Sequence, residues 1–344
     1  MMRLTPVNGE INMTALLDVK NLQTRFKVRK GYAYAVNDVS FQVHKGETLG
    51  VVGESGCGKS VTMLSLLRLL PPSARIENGQ VLFNGQDLLQ INKNQLRQVR
   101  GAQIGMIFQD PMSSLNPVVN IGVQMSEPLR AHLKMPKSQA LERSAQLLDM
   151  VGIADAESRL KDYPHQLSGG MRQRVMIAMS LACKPQILIA DEPTTALDVT
   201  IQAQIVDLVK DLREVLKTTV IWITHDLSLI AGLVDRIAVM YAGFIVEEAL
   251  VDDLYQDPRH PYTVGLFGAL PDVGGTQHGR LTTIGGAPPN LETSPTCCPF
   301  VPRCKYAVDE CHTKNPTLKP VSGAADDSQH RIACWIDLRE RCEA

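Results

Sequence analysis

The chain alternates short apolar runs with segments whose apolar residues recur at helical spacing. Leu16–Val19 and Ala35–Val43 read as strands, the second ending in the turn His44-Lys45-Gly46-Glu47. Thr48-Leu49-Gly50-Val51-Val52 has the apolar pattern of a strand buried on both faces of a parallel sheet. Ser60–Leu70 has helical spacing and stops at Pro71-Pro72. Residues 118–183 carry apolar positions at i, i+3 and i+4, with no strand pattern. Two more buried-strand runs follow, Ile187–Ala190 and Val220–Thr224, separated by a predicted helix over about 200–217. This alternation predicts an α/β fold, a parallel sheet with a helical subdomain inserted at about 110–184.

From about residue 251 the pattern changes. Prolines become frequent (among them Pro258, Pro261, Pro288, Pro289, Pro299 and Pro302) and long periodic helices disappear. The expected organisation is a polar tail at 1–14, a core at 15–250 and a loop-rich C-terminal domain at 251–344. A length of 344 residues agrees with two domains, or one large domain with an appendage.

Charge narrows the partners. Lys and Arg number 35 against 36 Asp and Glu, which excludes a broadly basic surface, so no nucleic-acid partner is expected. No apolar run approaches the ~20 residues of a membrane span, and the N-terminus lacks a signal-peptide core. A soluble chain is expected, with any membrane role peripheral. Cysteines cluster at the C-terminal end: Cys297, Cys298, Cys304, Cys311, Cys334 and Cys342. Without a secretion signal, such crowding reads as metal ligation or redox chemistry before disulfides.

The strand at 48–52 leads directly into Gly53-Glu54-Ser55-Gly56-Cys57-Gly58-Lys59-Ser60, the phosphate-loop pattern G-x-x-x-x-G-K-[ST]. Its glycines let backbone N–H groups curl around an anion, and the following helix points its positive end at the phosphates. Lys59 is expected to reach the β and γ phosphates, and Ser60 to bind Mg²⁺. Cys57 fills a permissive position; an oxidisable thiol that blocks ATP entry is the other reading. Asp191 and Glu192 follow the strand Ile187–Ala190. Asp191 is placed to hold the Mg²⁺ shell, and Glu192 to orient or deprotonate the attacking water.

Further motifs lie in order along the chain: Gln109 after Ile107-Phe108, Leu167-Ser168-Gly169-Gly170-Met171-Arg172-Gln173-Arg174 opening a helix, Ala196-Leu197-Asp198, and His225-Asp226 after Trp222-Ile223-Thr224. Together these resemble the motif set of an ABC-transporter ATPase. The resemblance implies an ABC-type core, a RecA-like parallel sheet plus an antiparallel β region, with a helical subdomain. It implies that Ser168, Gly169 and Gly170 contact the γ-phosphate of ATP held by a partner subunit. It implies that Gln109 touches Mg²⁺ and the water, that His225 holds the γ-phosphate, and that Asp198 lies across the dimer seam. Such ATPases stack adenine on an aromatic residue upstream of the phosphate loop. Tyr32 and Tyr34 both lie near that place, and Tyr32 is slightly favoured.

The stretches His260-Pro261-Tyr262-Thr263, Gly286-Ala287-Pro288-Pro289-Asn290-Leu291 and Cys298-Pro299-Phe300-Val301-Pro302-Arg303-Cys304 resemble the C-terminal extension of dipeptide and oligopeptide importer ATPases, closest to the D-type subunit of a dipeptide system. So does Phe108–Pro117. The resemblance implies ATP-driven coupling at the cytoplasmic face of the cell membrane. Its partners would be a second, related ATPase, two permease subunits and an extracellular or periplasmic solute-binding protein. It leaves nickel or another small solute open as cargo, because this subunit does not touch it. A soluble non-transport ATPase, the other class weighed, would carry a long coiled coil between phosphate loop and signature, or two ATPase modules; neither is present. Cys298, Cys304, Cys311 and Cys334 lack the close C-x₂₋₄-C pairs of structural zinc sites. Four thiolates can instead ligate an iron–sulfur cluster, and the resemblance implies [4Fe-4S] on these positions.

Overall fold

The computed structural model describes residues 15–195, 197–269, 284–321 and 329–339. The tail 1–14, Ala196 and Cys342 lie outside the described residues. The first part runs β1 (Leu17–Val28), β2 (Gly31–Val43), β3 (Thr48–Val52), α1 (Lys59–Leu66), β4 (Ala74–Phe83), β5 (Gln86–Asp87), α2 (Lys93–Val99) and β6 (Ile104–Ile107). A helical stretch follows: α3 (Pro111–Ser114), α4 (Ile121–Leu133), α5 (Lys137–Met150), α6 (Ala156–Arg159) and α7 (Gly169–Leu181). The chain then returns through β7 (Ile187–Asp191), α8 (Val199–Leu216), β8 (Thr219–Thr224), β9 (Arg236–Tyr241) and β10 (Phe244–Leu250). The last part holds α9 (Val251–Gln256), α10 (Pro261–Gly268), α11 (Asp309–Thr313), β11 (Lys319–Pro320) and β12 (Arg331–Ile332).

The large sheet has the order β11-β12-β10-β9-β3-β8-β7-β6, and a second sheet has the order β2-β1-β4-β5. β9, β3, β8, β7 and β6 run parallel, while β10, β12 and β11 add antiparallel strands at one edge. Successive residues of the parallel strands face opposite ways. Val220 and Trp222 of β8 belong to the core shared with α4, α5, α7 and α8. Ile221 and Ile223 face the core shared with β1, β2 and α1. Burying each such side chain contributes about 1.5–3 kcal/mol. That double burial is why these strands read as continuous apolar runs.

Boundaries differ from expectation where burial is one-sided. β1 extends to Val28 and β2 starts at Gly31, well beyond the apolar runs. β4 alternates exposed and half-buried positions over most of its length, so its polar residues hid it. β6 ends at Ile107 and leaves Phe108 and Gln109 beyond the sheet.

The C-terminal extension is loop-rich and is tied to the core. β12 pairs with β10, placing Ile332 opposite Glu247. Within the extension, buried Arg259 reaches buried Asp337 through Nη1, at 2.8 and 3.0 Å from its two carboxylate oxygens. Glu247 accepts from the backbone N–H groups of Arg259 and His260 at 2.7 and 2.9 Å, and its carboxylate lies 2.8 Å from His330 Nε2.

Candidate active site

β3 delivers the chain to Gly53 and α1 carries it away from Gly58, so residues 53–60 form a turn at a helix N-terminus. Gly53 has φ +150°, and a Cβ there would fall 2.2 Å from the Met240 carbonyl oxygen. Gly58 has φ +105°, and its Cβ would fall 2.3 Å from the Ala35 carbonyl oxygen. Neither place admits a side chain. Ser55 and Gly56 are exposed at the tip, Glu54 is half-buried and Cys57 is buried. Burial pushes the Cys57 thiol up, against the pull of Lys59, which disfavours the oxidisable thiolate considered above.

Lys59 is buried, and its Nζ donates to the carbonyls of Gly53 at 2.7 Å and Glu54 at 3.1 Å. Ser60 Oγ donates to Asp191 Oδ1 at 2.7 Å. Burial raises the Asp191 carboxyl, and the Ser60 hydrogen bond works the other way. The pair fits Mg²⁺, since it brings one hydroxyl and one carboxylate oxygen, hard donors for a hard cation, beside the phosphate loop.

Asp191 ends β7 opposite Ile223 of β8. The next residue, Glu192, donates its N–H to the Ile223 carbonyl at 3.0 Å and takes φ +45°. That left-handed backbone costs a non-glycine residue about 1–2 kcal/mol. It aims the carboxylate back across the strand ends. There Oε2 accepts from Gln109 Nε2 at 3.1 Å and Thr195 Oγ1 at 3.0 Å, and His225 Nδ1 stands 3.3 Å away. Lys59 Nζ is 3.7 Å from Oε1. The phosphate-loop lysine, glutamine, acid pair and histidine therefore meet around one carboxylate, although they span residues 59 to 225.

The signature residues build a second surface. Ser168 caps α7, its Oγ accepting from the Met171 N–H at 3.3 Å. Asp198 caps α8, accepting from the Ile201 N–H at 3.0 Å. The two helix starts abut: a Cβ on Gly170 would lie 3.2 Å from Ile201 Cγ2, and one on Gly169 would lie 3.8 Å from Leu197 Cδ2. Tyr32 is 43% exposed on the hairpin of β1 and β2, opposite Lys27. Tyr34 is half-buried, with its ring under the Arg25 guanidinium and its N–H donating to the Leu291 carbonyl at 2.8 Å.

Among the described residues, no three His, Cys, Asp or Glu side chains are gathered closely enough to hold a metal ion. The ready-made metal group implied for the C-terminal cysteines is therefore not present. Cys298, Cys304, Cys311 and Cys334 do border one small cavity, walled also by Phe300 and Trp335. Cys298 N–H donates to the Cys311 carbonyl at 3.1 Å. Burial, with the neighbouring thiols, pushes Cys298 up to about 12 and Cys334 up to about 11.

Three contacts were not foreseen. Thr195 had no assigned role, and Tyr262 and Arg303 stood only in stretches of family likeness. Tyr262 Oη accepts from the Glu54 N–H at 2.8 Å, and Arg303 forks onto the Glu54 carboxylate at 2.6 and 2.9 Å.

Comparison with known proteins identifies relatives of both the core and the extension. The family described as ABC transporter matches residues 36–195, and that described as Oligopeptide/dipeptide transporter, C-terminal region, matches 246–311. The chain is 50% identical over 321 residues to the probable peptide ABC transporter ATP-binding protein y4tR of Sinorhizobium fredii, covering 93% of this chain and 94% of that one. It is 48% identical over 327 residues to the dipeptide transport ATP-binding protein DppD of Bacillus subtilis, covering 94% and 95%. A solved dimer of the ATP-binding cassette MJ0796, in a post-hydrolysis state with ADP and Pi, superposes with a TM-score of 0.62 at 28% identity, covering 68% of this chain and 98% of that one. Matched in its core and in its extension, the chain belongs to the ATP-binding subunits of oligopeptide and dipeptide ABC transporters.

Proposed function

We propose that this chain is the energy-coupling ATPase of a di- or oligopeptide importer, acting from the cytoplasmic face of the membrane. The convergence of Lys59, Gln109, Thr195 and His225 on Glu192 carries the reading. ATP would lie with its phosphates over residues 53–60, cradled by loop N–H groups and the start of α1. Mg²⁺, held by Ser60 and Asp191 with Gln109 beside them, would neutralise charge on the β and γ phosphates. Glu192 would accept a hydrogen bond from the attacking water and take its proton as the γ-phosphoryl group leaves ADP. His225 would donate to a γ-phosphate oxygen, and Gln109 would orient the same water.

The signature turn at Ser168, Gly169 and Gly170 would serve the ATP of a second ATPase subunit in a heterodimer. The positive end of a helix suits a γ-phosphate offered from outside the chain. Asp198, on the adjoining helix start, would line the seam. Relatives of this fold dimerise as cassettes, which supports the sandwich. Two permease subunits and a solute-binding protein would complete the assembly. An apolar groove between sheet and helical region, lined by Leu69, Met106, Phe108, Leu115 and Met179, suits a short permease helix. No helix among the described residues is long and apolar enough to cross a membrane. For the extension, we place a [4Fe-4S] cluster on Cys298, Cys304, Cys311 and Cys334. Support for it is the family likeness of 298–304 and the small cavity that all four cysteines border.

The test uses a tagged Glu192→Gln chain, recovered from detergent-solubilised membranes with ATP and Mg²⁺. Hydrolysis should fall about 10²–10⁴-fold while ATP binding persists. A second ATPase and two multi-span proteins should be recovered with it. Recovery from the soluble fraction alone, or with nucleic acid, would overturn the importer reading.

A further inference from the structure

Position 54 of the phosphate loop presents an electrostatic problem. A glutamate carboxylate beside a bound triphosphate sets like charges near each other. The structure answers it from the far end of the chain. Arg303, on the short turn Val301–Arg303, places Nη1 2.6 Å from Glu54 Oε2 and Nη2 2.9 Å from Oε1. This is the planar two-point grip that an arginine makes on a carboxylate. The Arg303 side chain is only 3% exposed. Its Nε donates to the Gly285 carbonyl at 3.0 Å, and Nη1 and Nη2 reach Tyr241 Oη and the Ile284 carbonyl, each at 3.4 Å.

The same loop residue is held a second time through its backbone. Tyr262 Oη accepts the Glu54 N–H, so residue 54 is fixed at both main chain and side chain. Phe300 seats both holders: its ring packs edge-on against Tyr262 at 5.5 Å between centroids, and the Arg303 guanidinium lies over it at 6.0 Å. On the inner side of the loop, Lys59 Nζ ties the carbonyls of Gly53 and Glu54. Tyr262, Phe300 and Arg303 all belong to the extension, while Glu54 and Lys59 belong to the core.

We infer that Arg303 is a positioning residue for ATP binding: with Tyr262 it docks the extension onto the phosphate loop and cancels the Glu54 charge that would otherwise repel the nucleotide. The inference rests on the reading of residues 53–60 as the ATP cradle. Its consequence is that this chain's own ATP affinity is set partly by its C-terminal extension. Charge cancellation also makes a signed prediction that mere scaffolding does not. Removing Arg303 should harm binding through Glu54, and removing the Glu54 charge should repair that harm.

The experiment measures binding of a fluorescent ATP analogue to the full-length chain, and KM and kcat for ATP in the assembled transporter. Arg303→Met should weaken binding about five- to tenfold and raise KM more than it lowers kcat. Arg303→Lys, which keeps the charge and loses the fork, should recover part of the loss. Glu54→Gln combined with Arg303→Met should recover most of it. A double variant as weak as Arg303→Met alone would show that Arg303 only scaffolds the extension, and would overturn the inference. So would Arg303→Met binding like the parent chain. Tyr262→Phe, which keeps the ring and frees the Glu54 N–H, gives a second reading if Arg303→Met does not fold; it should also weaken binding, and parent-like affinity counts against the clamp. A parent chain that binds no nucleotide defeats the ATP reading itself, a result distinct from both.

Discussion

At the scale of single residues, the site is organised around one carboxylate in an uncommon backbone state. Glu192 takes φ +45° because Asp191 must finish β7 while the next side chain turns back over the strand ends. Thr195 then fixes the rotamer, its Oγ1 donating to Glu192 Oε2 at 3.0 Å. Thr195→Val keeps the shape and removes that donor. It should lower kcat about fivefold with little change in KM, because a net hydrogen bond of about 1 kcal/mol that orients the base is lost. Steady-state kinetics checks this, and an unchanged kcat would remove Thr195 from the machinery. Most of this site was legible in sequence because each part is either contiguous, as in 53–60, or sits at the end of an apolar run, as Asp191 and His225 do. The partners of Glu54 were not legible. Tyr262 and Arg303 lie 208 and 249 positions away, and neither spacing nor residue type announces such a pair.

At the scale of elements, burial decided only part of what could be read, since β9 is also buried at every position and was missed. β3, β7 and β8 are buried at every position and were read within a residue of their ends. β4 carries polar residues on its exposed positions and was missed. α10 shows a different dependence, on proton uptake. Its cap is His260, whose Nδ1 accepts from the Tyr262 N–H at 3.0 Å and so must stay unprotonated. Burial pushes His260 down to about 4 although Glu247 pulls it up; Glu247 lies beside it, and Cys298, Cys304, Cys311 and Cys334 border the same small cavity. An unfolded chain takes a proton at this histidine below about 6.5, whereas the folded chain resists until about 4. The stabilisation is therefore complete above pH 6.5 and lost as pH falls toward 4, on the order of 3 kcal/mol in all. Thermal unfolding of the parent chain should drop from pH 7 to pH 5, and His260→Asn, which can still cap, should flatten that slope. Parallel slopes would place the acid sensitivity elsewhere.

At the scale of the whole molecule, the extension and core share a sheet edge, the buried Glu247 carboxylate and the phosphate loop. The composition change near residue 251 marked a new kind of chain, and the family likeness named it, but only the fold shows how much of it leans on the ATP site. Removal of the proposed cluster should act on the molecule as a whole. Chain purified anaerobically should contain iron and acid-labile sulfide in equal amounts with brown visible absorbance, and loss of both should loosen the extension in hydrogen exchange. Stoichiometric zinc without sulfide would refute the cluster. The turn at 298–304 carries a further consequence, for descent. Its two ends, Cys298 and Cys304, face the cavity, its middle sets Phe300 among aromatic rings, and Arg303 leaves it toward the loop. Pro302, which does not border that cavity, can be respelled without moving those neighbours. A single inserted or deleted codon cannot be absorbed, since every later side chain would swing to a new bearing. Along a lineage this stretch should behave as a gauge block, free in lettering and fixed in length.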